Sequence, residues 1–169
     1  MIHLCKYILI PLFSLSLVVT YTKSEVLFNS IPNQNYNNWE TIVNKKVYVG
    51  WISHGDQYWC RSKSTLNYNL EKVAAALENY QNYPNIFKRV TDAKEIDKNI
   101  VHIVLNMPYP FANRDYVVEF ETSKGKSTRS IKFSSLEDNM ILSIPESVRL
   151  INAAGEWYLE EKNKNSTEI

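Results

Sequence analysis

A chain of 169 residues with 44% hydrophobic and 22% charged residues carries enough apolar material for one core and lies outside the range of disordered sequences. A net charge of +1 leaves no broad cationic surface, so nucleic acid is not an expected partner. Four Trp and eleven Tyr are many for this length: the plain reading is core and surface packing, the sharper one an aromatic-lined pocket for an amphiphile.

Residues 1–24 read as a targeting segment. One lysine, Lys6, precedes an almost wholly apolar run over 7–20, and Thr22-Lys23-Ser24 places small residues where a signal peptidase needs them. The run is shorter than the roughly 20 residues a spanning helix requires, so a cleaved signal, and with it a secreted or periplasmic protein, is expected ahead of a retained N-terminal membrane anchor. No cysteine follows the run to take a lipid. Cleavage removes Lys6 and Lys23 but no carboxylate, which turns the charge balance slightly negative. It also removes Cys5. Cys60 is then a lone cysteine without a disulfide partner, and its place between Trp59 and Arg61 in a strand-like run predicts a buried, inert thiol. No cysteine–histidine set has zinc spacing.

Residues 25–38 are polar, asparagine-rich and interrupted by Pro32, which suggests a loop or frayed lead-in. Alternation over 39–46 (WETIVNKK), over 47–53 (VYVGWIS) around Gly50, and over 58–66 (YWCRSKSTL), with turn chemistry at 54–57, predicts three antiparallel strands. The period then changes. Leu70, Val73, Ala74, Leu77 and Tyr80 share one face of a helix over 67–80, with Asn67 or Asn69 as N-cap and Pro84 as the expected stop before a short turn at 85–88.

Strands resume over 87–96 and 100–107 (IVHIVLNM), joined by a turn at 97–99. Residues 107–120 (MPYPFANRDYVVEF) follow. Pro108 and Pro110 forbid a helix there, and a charged pair, Arg114 and Asp115, stands at the mouth of a strand over 116–120. Ser123 to Lys126 signals a hairpin, 128–134 the returning strand, 141–145 a short connection, and 147–153 with 156–160 a last hairpin around Ala154-Gly155. Residues 161–169 read as a polar tail. The layout is α+β: a long antiparallel sheet that one helix of about 13 residues cannot cover. Either the sheet curls around a cavity or a covering element is missing.

Catalytic signatures are absent: there is no Gly-rich phosphate loop, HExxH or GxSxG. His54 lies in a turn, where a solvated role is the plain reading. His102 points to the face opposite its neighbours Val101 and Ile103, and a hydrogen-bonded histidine is commoner there than a general base. Arg114 and Asp115 likewise face opposite ways. Each either pairs with a neighbour to fix the loop or, on a cavity wall, orients the polar end of an amphiphile. Lys124, Lys126 and Arg129 form the densest cationic group, by default a solvated hairpin tip, otherwise a weak attraction to an anionic membrane.

PFANRDYVV (110–118) resembles the Pro-x-x-x-Arg-Asp-aromatic-Val signature of the START family, the lipid-transfer domains related to steroidogenic acute regulatory protein. GWISHGDQYWCR (50–61) is similar to that family's early hairpin, 70–87 to its helix and proline-aromatic turn, and Val148-Arg149-Leu150 with GEWYL (155–159) to its late strands. The likeness runs over residues 39–160. It implies a helix-grip fold, in which a curved antiparallel sheet holds a long C-terminal helix over a tunnel for one lipid or sterol. A further strand and that helix are expected after 160 and are apparently missing. The implied activity is non-enzymatic binding or transfer of a hydrophobic ligand without cofactor or metal, with transient membrane contact. Candidate ligand-binding residues are Leu105, Met107, Arg114, Tyr116, Val118 and Phe120. The alternatives are an enzyme on a helix-grip scaffold acting on an apolar or polyketide-like substrate, with His102 as its polar group, and a truncated, non-binding fragment.

Overall fold

The computed structural model describes residues 25–137, 141 and 144–169. The expected signal segment, residues 1–24, lies outside the described residues, as does part of the connection at 141–145. The chain runs α1 (Glu25–Ser30), β1 (Glu40–Asn44), β2 (Tyr48–His54), β3 (Gln57–Lys63), β4 (Thr65–Leu66), α2 (Leu70–Glu78), a 3-10 turn (Tyr80–Asn82) and α3 (Tyr83–Ile86). It continues through β5 (Val90–Asp97), β6 (Ile100–Leu105), β7 (Asn113–Lys124), β8 (Thr128–Ser135), β9 (Ser147–Arg149), β10 (Ala154–Asn163) and β11 (Ser166–Glu168). The strands form a three-stranded sheet, β1-β2-β3, and a larger one in the order β4-β11-β10-β8-β7-β6-β5, with β9 beside β7. The expected α+β architecture, a curved, open antiparallel sheet with a helix after the first strands, is what the chain adopts.

α2 begins where Asn69 Oδ1 accepts the Lys72 N–H at 2.9 Å, so Asn69 is the cap. Leu70, Val73, Ala74 and Leu77 are its buried face. They meet Val101 and Ile103 of β6, Val118 and Phe120 of β7, Ile131 of β8 and Leu159 of β10, and this cluster is the core. The strand face under α2 is called the inner face below. Arg129 pins the helix to β8: its guanidinium, nearly inaccessible, donates to Glu71 at 2.9 Å and to Glu78 at 3.1 Å. Arg129 is therefore no part of a solvated tip. Lys124 and Lys126 are exposed, as expected.

Several boundaries differ from the sequence reading. The lead-in holds a short helix, α1, with Phe28 buried. α2 closes at Glu78, and Pro84 opens α3, because a proline in the first helical turn lacks only an N–H that would have no partner there. β7 starts at Asn113, which puts Arg114 and Asp115 inside the strand, opposite Leu105 and Val104 of β6.

The expected last hairpin does not form. β9 pairs in parallel with residues Asn113, Arg114 and Asp115 of β7, whereas β10 pairs with β8. Gly155 therefore stands within a strand rather than in a turn. A Cβ there would meet the Phe133 ring at 2.6 Å, so the residue is small because an aromatic ring lies on it. The segment read as a polar tail also joins the sheet: Thr167 is fully buried and Ile169 packs on the core. Alternation hid this, since only every second residue of so short a strand faces inward. Cys60 is exposed, not buried, because it occupies the open side of β3 while Trp59 and Arg61 take the covered one.

Candidate functional site

β7 separates two chemistries. Its residues alternate between faces, and the outer face carries Asp115, with no accessible surface. Arg149 of β9 donates to Asp115 Oδ2 through Nε at 2.8 Å and through Nη2 at 2.7 Å. His102 Nε2 stands 2.9 Å from the same oxygen, and Ser147 Oγ donates to Oδ1 at 2.9 Å. An ionised carboxylate only accepts hydrogen bonds, so Nε2 of His102 carries the proton. Burial by itself would raise the Asp115 pKa. The hydrogen bonds from Arg149, His102 and Ser147 outweigh it and hold the carboxyl below its ordinary range. Both carboxylate oxygens are engaged, Oδ2 by Arg149 and His102 and Oδ1 by Ser147. The arrangement ties β6, β7 and β9 together.

The inner face is different. Arg114, Tyr116, Val118 and Phe120 lie on it in sequence, and Leu105 stands directly opposite Arg114. Val118 and Phe120 are sealed: Phe120 stacks on Tyr80 at 4.1 Å between ring centroids and meets Tyr83 edge-on. Tyr83 donates its hydroxyl to the Leu77 carbonyl at 2.7 Å, and burial pushes its phenol pKa well up. Leu105 and Tyr116 are only half-buried at the margin of that core, and burial also raises the Tyr116 phenol pKa. Arg114 turns its Nη1 back to the Ala112 and Asn113 carbonyls, at 2.6 and 3.2 Å. Met107 lies half-buried beyond the end of β6, its backbone N–H held by Asn113 Oδ1. Of the six candidate residues, Leu105, Arg114 and Tyr116 thus form one half-open patch beside the sealed pair, with Met107 at its edge.

The patch continues across the sheet through residues that the sequence reading did not single out. Phe133 of β8 lies beside Phe120, with centroids 5.9 Å apart. Trp157 of β10 stacks nearly parallel on Phe87, which follows α3, at 5.7 Å and 17°. Phe133 and Trp157 also line a cleft of about 660 Å³ between β3 and β10. Phe133 was legible as the alternation partner of Ile131. Phe87 and Trp157 were not, since nothing local announces that residues 70 positions apart will stack. At the end of the patch, the loop between β6 and β7 carries Tyr109, 97% exposed, and Phe111, 60% exposed. Among the described residues no three His, Cys, Asp or Glu side chains gather as metal ligands.

His102 lies opposite Val117 on the outer face, with the sheet between it and the aromatic patch. It cannot act on a ligand held on the inner face, which removes the residue on which the enzymatic alternative depended. His54 meets Tyr36 edge-on at 5.1 Å at the end of β2.

No family sequence profile matches the chain, and a comparison with curated protein sequences gives no match. Solved structures do match. A STAR-related lipid transfer protein from Xanthomonas axonopodis superposes with a TM-score of 0.69 at 15% identity, over 79% of this chain and 80% of that one. Human STARD10 gives 0.68 at 12% identity, over 77% of this chain but only 57% of the STARD10 chain. The lipid transfer and protein localization domain of human StarD13 gives 0.65 at 16% identity, over 79% and 72%. At such identities the likeness is one of backbone architecture, and in that sense the chain carries a START-like, helix-grip fold.

Proposed function

We propose that this protein binds one hydrophobic molecule of lipid or sterol type on the inner face of its sheet, as a carrier rather than an enzyme. The observation that carries the reading is the half-covered apolar patch formed by Leu105, Tyr116, Phe133, Trp157 and Phe87 at the edge of a sealed core. An apolar tail laid on it gains about 25 cal/mol per Å² of buried apolar surface, before the loss of motional freedom is subtracted. Arg114, on the same face, supplies a cation for a polar head. A carrier needs affinity without chemistry, which suits a face whose polar groups are few. The lipid transfer proteins among its structural neighbours support this reading.

Two finer elements belong to the same proposal. The exposed Tyr109 and Phe111 give the loop beside the patch a means of touching a membrane surface while a ligand passes, since aromatic rings settle at the interface between headgroups and tails. The apolar segment over 7–20 supports export, with the mature protein starting after Ser24.

The test is direct. Purified protein is equilibrated with vesicles containing a fluorescent sterol or a fluorescent phospholipid, separated from them, and examined by native mass spectrometry. One bound lipid per chain, with energy transfer from Trp157 to the probe, is expected. Protein that emerges empty from both preparations overturns the carrier reading.

A further inference from the structure

Asn165-Ser166-Thr167 is an Asn-x-Thr triplet, and no other asparagine of the chain has a serine or threonine two places on. In an exported protein such a triplet is an acceptor for an N-linked glycan, provided that a bulky hydrophilic group on the asparagine stands in solvent. The fold meets that condition. β10 turns into β11 through Lys164 and Asn165 alone, with Asn163 paired to Ser166 across the turn. The two asparagines divide the work. Asn163 Oδ1 accepts the Asn165 N–H at 2.9 Å and closes the turn, whereas Asn165 is exposed and its carboxamide makes no hydrogen bond among the described residues. Its surroundings are exposed and polar as well: Lys162, Asn163 and Lys164 on the hairpin, and Lys126 and Ser127 on the β7–β8 turn, where the Ser127 carbonyl accepts the Glu161 N–H at 2.9 Å. This is the end of β7 away from Tyr109 and Phe111, with the 12 residues of that strand, about 40 Å of extended chain, in between.

We propose that Asn165 carries an N-linked glycan, added as the chain crosses a secretory membrane. The assignment rests on the proposed export of the chain, because the transferase and its donor, an oligosaccharide linked to a lipid through pyrophosphate, face the lumen. In the transfer, Asn165 Nδ2 bonds to the anomeric carbon of the donor sugar and gives up one proton to a base. The bond from that carbon to the phosphate oxygen breaks, and the lipid pyrophosphate leaves with the electron pair. The transferase must reach the hydroxyl of the third residue as well as the carboxamide. In the fold, Thr167 has no accessible surface, and its Oγ1 donates to the Tyr68 carbonyl at 2.9 Å. Once β11 has paired between β10 and β4, half of the acceptor is therefore hidden. Transfer precedes closure of the sheet, and the folded chain is not a substrate. After folding, the turn holds the glycan in water, clear of the aromatic loop assigned to membrane contact.

The full chain is translated in the presence of secretory microsomes that hold the oligosaccharide donor. Resistance to added protease reports entry into the lumen, and a mobility step removed by peptide N-glycosidase reports the glycan. Protected chains are expected to show one such step, lost in Asn165→Gln and in Thr167→Ala and kept in Thr167→Ser. Because transfer comes before folding, the result does not depend on whether Thr167→Ala reaches the native state. Protected chains without the step, or a step that survives Asn165→Gln, overturn the glycan and leave export standing. Chains that remain outside and open to protease overturn export, and the glycan with it.

Discussion

The two faces of β7 differ in how they treat polar groups. On the outer face, a carboxylate with no exposed surface is matched by Arg149, His102 and Ser147, so that burial leaves nothing unpaired. On the inner face, Tyr116, Val118 and Phe120 follow Arg114 as an apolar run, and the sheet is sealed at one end by α2, with Leu105, Tyr116, Phe133 and Trp157 left half-covered. The contrast shows that the most conspicuous charges in a chain need not be its working parts. A buried charge is tolerable only when its partners are fixed, and fixed partners make structure. A face that is apolar and incompletely covered retains free energy to be gained from a ligand.

Breaking the outer side should have the largest effect. Asp115→Ala leaves the Arg149 guanidinium beside an empty pocket and is expected to destabilise the fold by about 3–5 kcal/mol in urea unfolding. A loss below about 1 kcal/mol would show that the network is not structural. Next is Phe120→Ala, which empties the sealed end of the inner face at a cost of about 3–4 kcal/mol; the same assay reads it.

The open end should respond in binding rather than in folding. Trp157→Ala is expected to weaken retention of the fluorescent sterol or phospholipid by about ten-fold, a change of about 1.4 kcal/mol, while His102→Gln leaves retention unchanged. Equal losses in the two variants would erase the distinction between the faces.

Acid gives a subtler test. The Asp115 carboxyl sits below its ordinary range in the folded protein, so the unfolded chain takes up that proton first. The stability it contributes is complete above the ordinary carboxylate range, about pH 4, and falls as the pH drops further through its folded-state value. Asp115→Asn should flatten that acid limb. An unchanged slope between pH 5 and pH 2 would assign acid sensitivity elsewhere. The smallest effect is expected at Cys60: an exposed thiol should react with a disulfide reagent in the native protein, and Cys60→Ser should shift stability by less than about 0.5 kcal/mol.

Much of this was legible in local sequence. The helical spacing of Leu70, Val73, Ala74 and Leu77 predicted the buried face of α2, and alternation in residues 116–120 placed Tyr116, Val118 and Phe120 on one side, away from Asp115. Those are consequences of backbone period, which each segment carries by itself. The likeness of residues 110–118 to the START signature also led to the fold that the structural comparisons bear out.

What local pattern could not supply was pairing over distance. The parallel docking of β9 on β7 brings Arg149 to Asp115 across 34 positions, and the salt bridge from Arg129 to α2 spans 58 residues to Glu71. Neither has a local signature, because a strand of three residues or a single arginine can pair with any complementary edge or carboxylate until the chain is folded. The same holds for the stack of Phe87 on Trp157, which exists only because β8, not an adjacent segment, became a neighbour of β10. Backbone period, a local property, determined which way each residue faces; the strand order, a global compromise of burial and hydrogen bonding, decided what each residue meets.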